Sequence, residues 1–280
     1  MATATIENDT FLSGLVSQAD LDFFRAKGAI CIRGVVDLHT VERARAASAE
    51  VIEARLAALE AQGQPRHAGP QFHHMIRVAD EHPVLHDILV NSKLPLVARD
   101  LMQSRKVIVF GDSLFDKEPG ALTKTPWHHD QPYWPVRGEQ VCSTWLALDA
   151  VTRENGGLEY VAGSHRWNRW FRPKFFNGTE SSDTRFETIP DFDADRDDYE
   201  ILHWELEPGD VLIHQGLTVH GAGENTRLEL SRRAYAPRYV GEETWWDPEF
   251  HSSKGNPKAS VLEKGDPLDR HGIHEVALEV

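Results

Sequence analysis

The chain has 280 residues, 40% hydrophobic and 26% charged, with 20 Gly and 15 Pro; this is globular composition, and at this length about 75% of the unfolded-chain surface can be buried without a disulfide or structural metal. Two cysteines, Cys31 and Cys142, are too few and too widely spaced for a disulfide framework or a paired-cysteine zinc site, which points to a reducing compartment. A formal charge of −14 lacks the basic footprint that nucleic-acid binding requires.

Met1 to Thr10 has no basic region followed by an apolar run, and no apolar stretch approaches the roughly 20 residues of a membrane span. The expectation is a cytoplasmic protein with no nucleic-acid or membrane partner. Ser17-Gln18-Ala19-Asp20 has capping-box form and opens a helix carrying Phe23 and Phe24, which Gly28 ends because glycine tolerates a left-handed backbone. Ala29 to Val36 reads as a strand. A second helix runs from about Thr40 to Leu59, where Val41, Ala44, Ala47, Val51, Ala54 and Ala58 recur at helical spacing. Gln62 to Gln71 is a loop, and Pro83 to Gln103 a third helix interrupted near Pro95.

From Lys106 the pattern changes to short strands between turn residues: Val107–Phe110, Ser113–Lys117, Val141–Leu148, Leu158–Val161, Ile201–Glu205, Val211–His214 and Arg232–Val240. Helices followed by a block of short strands predict one α+β domain over 1–280, built on a sandwich or jelly roll, with its core at about 28–240. Glu180 to Glu200 carries nine acids against two arginines; it reads as a solvated loop, with an active-site lid as the alternative. The tail after Trp246 reads as irregular. No feature assigns an oligomeric state.

The dinucleotide, P-loop and nucleophile-elbow signatures are missing. Fifteen histidines are the unusual feature. His128 and Asp130 form a His-x-Asp triplet, whose side chains on a strand point the same way roughly 6.6 Å apart. About two His-x-acid triplets are expected by chance in this composition, and the chain has two, the other being His203 and Glu205. Context favours the first, which follows the loop Glu118-Pro119-Gly120 and precedes Tyr133-Trp134. The second sits in an alternating strand whose polar residues face solvent. A third ligand comes from a later strand, with His214 and His220 as candidates; His220 heads the glycine-rich turn His220-Gly221-Ala222-Gly223-Glu224-Asn225. Two histidines and one carboxylate form the facial triad that leaves iron positions open. Arg232 shares a strand face with Ala234 and Ala236, and a guanidinium in such an apolar strand needs an anionic partner. Arg233, on the opposite face, serves as its control.

These residues resemble the phytanoyl-CoA dioxygenase-like family. The resemblance is carried by Lys117-Glu118-Pro119-Gly120, Trp127-His128-His129-Asp130-Gln131-Pro132-Tyr133-Trp134, Trp145-Leu146-Ala147-Leu148-Asp149, Glu154-Asn155-Gly156-Gly157, Gly163-Ser164-His165 and the His220 turn, and it spans roughly Gly28 to Tyr239. It implies a double-stranded β-helix (jelly roll, cupin-like) core with flanking N-terminal helices, and an iron(II)- and 2-oxoglutarate-dependent oxygenase. In such an enzyme O2 is consumed, 2-oxoglutarate is decarboxylated to succinate and CO2, and a C–H bond of a small-molecule substrate is hydroxylated. It implies His128, Asp130 and His220 as iron ligands, Arg232 as the partner of the distal carboxylate of 2-oxoglutarate, and Trp145 as a wall of that pocket. The family arginine usually lies eleven residues after the distal histidine, where Ser231 stands here; Arg232 is one further on. A hydroxyl residue usual two after that histidine is replaced by Ala222, which leaves Ser113 and Lys117 as substitutes for the missing cosubstrate hydrogen bond. Retention of Asp130 argues against halogenation, in which chloride takes the carboxylate's place.

Gln131, Tyr133, Trp134 and Arg137 are candidate substrate contacts, with Trp170 and Phe171 at the rim of the acidic loop; an inward-facing Arg137 would select an anionic substrate. His129 is expected to face away from the metal and His165 to be a turn residue. The competing readings are a metal-dependent cupin-like isomerase or epimerase, which needs neither 2-oxoglutarate nor Arg232, and a non-catalytic binding jelly roll.

Overall fold

The computed structural model describes residues 12–250, 261–272 and 274–279. Helix α1 (Gln18–Lys27) begins with the expected capping box: the Asp20 amide donates to the Ser17 hydroxyl and the Ser17 amide to the Asp20 carboxylate. It ends at Gly28, whose φ of 83° is left-handed. A Cβ at Gly28 would lie 2.3 Å from the His165 ring, so the turn requires glycine for space as well. Strand β1 (Ala29–Ile32) is shorter than expected, because the chain turns at Gly34 and Asp37 caps α2 (Leu38–Ala61). The predicted third helix is two, α3 (Pro83–Asn91) and α4 (Leu94–Met102), parted at Ser92 and Lys93. Pro83 and Pro95 each sit in a first turn, where no amide is needed.

The strands are β2 (Phe72–Ile76), β3 (Lys106–Lys117), β4 (Thr125–His128), β5 (Val136–Arg137), β6 (Val141–Ala147), β7 (Leu158–Val161), β8 (Ile201–His203), β9 (Val211–Gln215), β10 (His220–Ala222), β11 (Arg232–Val240), β12 (Trp245–Trp246) and β13 (Val276–Glu279). Among them β3 runs unbroken through Gly111-Asp112, where two strands were expected. The tail is not wholly irregular either, since β13 pairs with β3. Two sheets face one another, one ordered β1-β9-β6-β11-β3-β13 with β2 also on β3, the other β4-β10-β7-β8. In chain order β3, β4, β6, β7, β8, β9, β10 and β11 pair first with last, second with seventh, third with sixth and fourth with fifth. This is the double-stranded β-helix.

The largest apolar cluster joins the helices to the outer face of the larger sheet, with Leu21, Val41, Leu85, Val97, Leu114, Leu146, Tyr235 and Tyr239 buried in it. Strand alternation therefore turns the other face of β6, β9 and β11 toward the space between the sheets. No helix among the described residues is long and apolar enough to cross a membrane.

Candidate active site

His128 ends β4 and His220 begins β10, and the antiparallel register makes them direct partners across the smaller sheet, 92 positions apart in the chain. Their ring centres are 4.2 Å apart. Asp130 follows β4, and its Oδ1 lies 3.6 Å from His128 Nε2 and 3.9 Å from His220 Nε2. Among the described residues, this is the one group of three histidine or acid side chains arranged to hold a metal ion, with ligand atoms within 4.8 Å of one another.

The protonation pattern fits a divalent cation. His128 Nδ1 donates to the Pro126 carbonyl at 2.8 Å and His220 Nδ1 to the Thr218 carbonyl at 3.0 Å. A carbonyl only accepts, so each Nδ1 carries the proton and each Nε2 turns a lone pair toward Asp130. Burial, reinforced by the neighbouring His128 and His214, holds His220 well below the usual histidine range and keeps it neutral. Burial pushes the Asp130 carboxyl up, but the facing histidines His128, His214 and His220 outweigh it and hold the group well below the usual carboxylate range. Asp130 Oδ2 accepts from the Ser143 hydroxyl at 2.7 Å and from His214 Nε2 at 3.2 Å. His214 Nδ1 in turn faces the Tyr160 hydroxyl at 3.3 Å. Oδ2 is thus spent on positioning and Oδ1 remains for a metal. Two imidazole Nε2 atoms and one carboxylate oxygen, with positions left open, suit ferrous iron.

The cluster opens into a cavity of about 1020 Å³ between the sheets. Arg232 lines it, 2% exposed, with its guanidinium carbon 5.3 Å from the Trp145 ring centre and 5.9 Å from that of Phe72. Its Nε is buried without a hydrogen-bond partner, and among the described residues no carboxylate pairs with it. Burial pushes the group down to about 10 against the opposing charges of Asp116 and Asp149. Its register partner Lys117 is also fully buried, hydrogen-bonds the Gly223 carbonyl, and is pushed down to about 6 by burial and by the charge of Arg232. A buried guanidinium without an acid partner makes a receptor for an anion, and Lys117 beside it, off the cavity wall, would become a second cation once a bound anion returns its proton. The donor set and this cationic pocket together accommodate iron and a dicarboxylate.

The phytanoyl-CoA dioxygenase (PhyH) family description matches residues 24–234. The chain belongs to that family. A probable phytanoyl-CoA dioxygenase of Caenorhabditis elegans is 26% identical over 247 residues, covering 82% of this chain and 77% of that protein. The multifunctional dioxygenase prhA of Penicillium brasilianum is 30% identical over 145 residues, which cover 48% of this chain and 42% of the fungal one. Among solved structures, the non-haem alpha-ketoglutarate-dependent carbocyclase SnoK from nogalamycin biosynthesis superposes with a TM-score of 0.72 at 25% identity, covering 93% of this chain and 96% of SnoK. EctD from S. alaskensis, solved with 2-oxoglutarate and 5-hydroxyectoine, gives 0.69 at 19% identity, covering 91% and 86%, a likeness of fold. This PhyH-family chain is accordingly an iron(II)/2-oxoglutarate dioxygenase-family enzyme, with iron as metal and 2-oxoglutarate as cosubstrate.

The structure distributes the remaining sequence-predicted residues of this PhyH-family site unevenly. Trp145, Tyr133 and Trp134 line the cavity, whereas Gln131 and Arg137 do not. Gln131 is buried and its amide donates to the carbonyls of Val136 and Gly138. Arg137 pairs with Asp247 at 3.4 Å and stacks 4.1 Å over Trp170, so it is not the inward-facing guanidinium that would select an anion; Trp170 and Phe171 are off the cavity wall and lie against the acidic loop, Trp170 stacked on Phe186 and Phe171 bridged to Glu187. Ser113 is engaged with His74 Nε2 at 3.2 Å and does not line the cavity. His129 faces away, its Nε2 accepting from the Phe171 amide at 2.8 Å, and His165 lies in a 3₁₀ turn. Residues 180–200 contribute nothing to the cavity wall; Phe186 and Phe192 anchor that segment elsewhere, and Phe175 and Phe176 just before it line the cavity instead.

Sequence reading singled out neither Ser143, Tyr160 nor Arg238. The signal for Ser143 was its place two residues before Trp145 on one face of β6, and for Arg238 the same alternation that selected Arg232.

Proposed function

We propose that the enzyme hydroxylates a C–H bond of a small organic molecule, with His128, Asp130 and His220 holding iron and Arg232 and Lys117 holding the distal carboxylate of 2-oxoglutarate. The single observation that carries this reading is the buried, acid-free guanidinium of Arg232 in the same cavity as the His-Asp-His cluster. An isomerase of the cupin kind has no use for that charge, and leaving it desolvated without a partner would cost several kcal/mol.

Iron held there supplies oxygen activation: O2, 2-oxoglutarate and substrate R–H yield succinate, CO2 and R–OH, one oxygen atom going to each organic product. The chain's residues do the rest by placement. Arg232 and Lys117 fix the far end of the cosubstrate, and Trp145 packs beside that guanidinium and walls the pocket. Ser143 and His214 hold Asp130 in one orientation, so that its Oδ1 stays turned toward His128 and His220, where a metal would be held. Closely similar folds include an alpha-ketoglutarate-dependent carbocyclase and an epimerase, so the outcome is read from the product. A hydroxylase adds one oxygen atom from labelled O2 to its substrate, whereas ring closure or epimerisation adds none.

The test is anaerobic titration of apoprotein with iron(II) and then 2-oxoglutarate, following the visible metal-to-ketoacid charge-transfer band. The expected result is a band that weakens in Asp130→Ala and needs far more 2-oxoglutarate in Arg232→Ala. No band in the wild type, or one indifferent to Arg232, overturns the reading.

A further inference from the structure

Two arginines face the cavity from β11, and the function proposed above uses one. Arg232, Ala234, Ala236 and Arg238 share a strand face, and Arg238 lines the cavity about 20 Å further along the strand. Its register partners are Ser143 on β6, whose hydroxyl orients Asp130, and Gly111 on β3. The β3–β11 ladder shifts register between Arg238 and Tyr239, the kind of bulge that re-aims a side chain beside an active site. Opposite it, Gly111 leaves open space: a Cβ there would meet nothing within 4 Å.

The Arg238 guanidinium carbon sits 5.2 Å from the Trp134 ring centre, and its Nε is buried without a hydrogen-bond partner. Among the described residues no carboxylate closes on it. Asp112, one position away in the ladder, is committed to the Ala79 amide at 3.0 Å. Both oxygens of Asp130 are assigned already, Oδ2 to Ser143 and His214 and Oδ1 to the metal. Phe110 packs against Trp134, 5.4 Å between ring centres, and Tyr133, Phe175 and Phe176 add further rings to the wall of the same cavity. A half-desolvated guanidinium with room in front of it and rings around it is a site for an anion carried on an apolar body.

We infer that Arg238 binds a carboxylate of the substrate, so that the enzyme acts on amphipathic organic acids whose ring or chain portion packs on the aromatic wall. The inference rests on the active-site reading above and adds its substrate class. It also returns the anionic preference once attached to Arg137 to a residue that faces the cavity.

The experiment uses the anaerobic iron(II)–2-oxoglutarate holoenzyme and three matched probes: phenylacetate, naphthylacetate and indolepropionate, each against its neutral amide, with affinities by calorimetry. In the wild type the acids should bind at least about tenfold more tightly than the amides, as a charge-assisted pair requires. In Arg238→Gln the advantage should fall within about twofold, with partial recovery in Arg238→Lys. The 2-oxoglutarate titration of the charge-transfer band should be unchanged in both variants, which also shows that they fold. Equal binding of acid and amide, a preference that survives in Arg238→Gln, or no binding by any probe overturns the inference. A raised 2-oxoglutarate requirement in Arg238→Gln overturns it too, by moving Arg238 into the cosubstrate pocket. Absence of the band in the wild type is a separate failure, that of the active-site reading.

Discussion

Two histidine–acid triplets of identical spacing, His128-x-Asp130 and His203-x-Glu205, meet opposite fates. Both lie at or beside edge strands of the smaller sheet, β4 and β8. The register partner of His128 is His220, whereas that of His203 is Glu159. His203 spends its Nδ1 on the Leu158 carbonyl at 3.1 Å, and Glu205 is exposed. Spacing along a strand aligns two side chains, but the neighbouring strand supplies the third ligand and the outer groups that hold the acid. Arg232 and Arg233 repeat the lesson on β11: one faces the cavity unpaired, and its neighbour is held by Asp149 at 2.8 Å.

The sharpest break of the comparison is to remove the acid from each triplet. Asp130→Ala should abolish iron binding at micromolar metal and lower 2-oxoglutarate-dependent succinate formation by about a thousandfold or more, since a carboxylate supplies both a bond and charge balance to the metal. Glu205→Ala should leave both within about twofold. Equal losses in the two variants would show that the second triplet also serves the site.

The arginine pair sharpens the same point at the cosubstrate. Arg232→Ala should raise the 2-oxoglutarate concentration for half-saturation by about 30-fold or more, corresponding to roughly 2 kcal/mol for a lost charge-assisted pair. Arg233→Ala should leave that concentration unchanged and lower stability by about 1 kcal/mol or less, because its pair with Asp149 is partly exposed and screened. A 2-oxoglutarate effect in Arg233→Ala would mean that the strand alternation has been misread.

Much of this was legible in the sequence because it depends on local pattern. The capping box, Gly28, the strand Arg232–Val240 and the inward face of that strand follow from periodicity and turn chemistry. His-x-Asp and the His220 turn needed family resemblance to be chosen among fifteen histidines. What stayed hidden depends on pairing across long separations. β10 has three residues and β4 four, too short to show alternation, and each exists because the other completes its ladder. Gln131 and Arg137 were placed near the pocket by proximity in sequence, yet the 3₁₀ turn at Gln131–Tyr133 and the β5–β12 pairing redirect them to Gly138, Asp247 and Trp170.

Lys117 links the cosubstrate pocket to pH. Burial and the charge of Arg232 push it down to about 6 from an ordinary value of 10.5, with Glu224 opposing. Between those values the unfolded chain carries a proton that the folded apoprotein does not, so the group makes stability rise with pH across that window. A bound dicarboxylate reverses the local charge balance and returns the proton. Cosubstrate binding near pH 7.5 should therefore take up close to one proton, read from the dependence of calorimetric enthalpy on buffer ionisation. Affinity should fall as pH rises, and Lys117→Met should abolish the uptake and weaken 2-oxoglutarate by about tenfold. Uptake that persists in Lys117→Met would assign the proton to another group.

The smallest effect on the metal site belongs to a group that reaches it only through His214 and Asp130. Tyr160 is fully buried, and its hydroxyl meets His214 Nδ1 at 3.3 Å. Because His214 Nε2 must carry the proton it donates to Asp130, Nδ1 is the acceptor and the phenol is the donor. Tyr160→Phe keeps the ring against His214 and His220 and deletes only that donor. Asp130 retains the Ser143 hydroxyl, so its orientation is loosened rather than lost. Iron affinity should drop by about threefold to tenfold, the lower edge of what outer groups contribute to a metal site. The half-saturating 2-oxoglutarate concentration of the iron-loaded enzyme should not move, because Arg232 and Lys117 are untouched. Ser143→Ala, which removes a donor directly from Oδ2, should cost more iron affinity than Tyr160→Phe; the reverse order would mean that His214, not Ser143, sets the direction of the carboxylate.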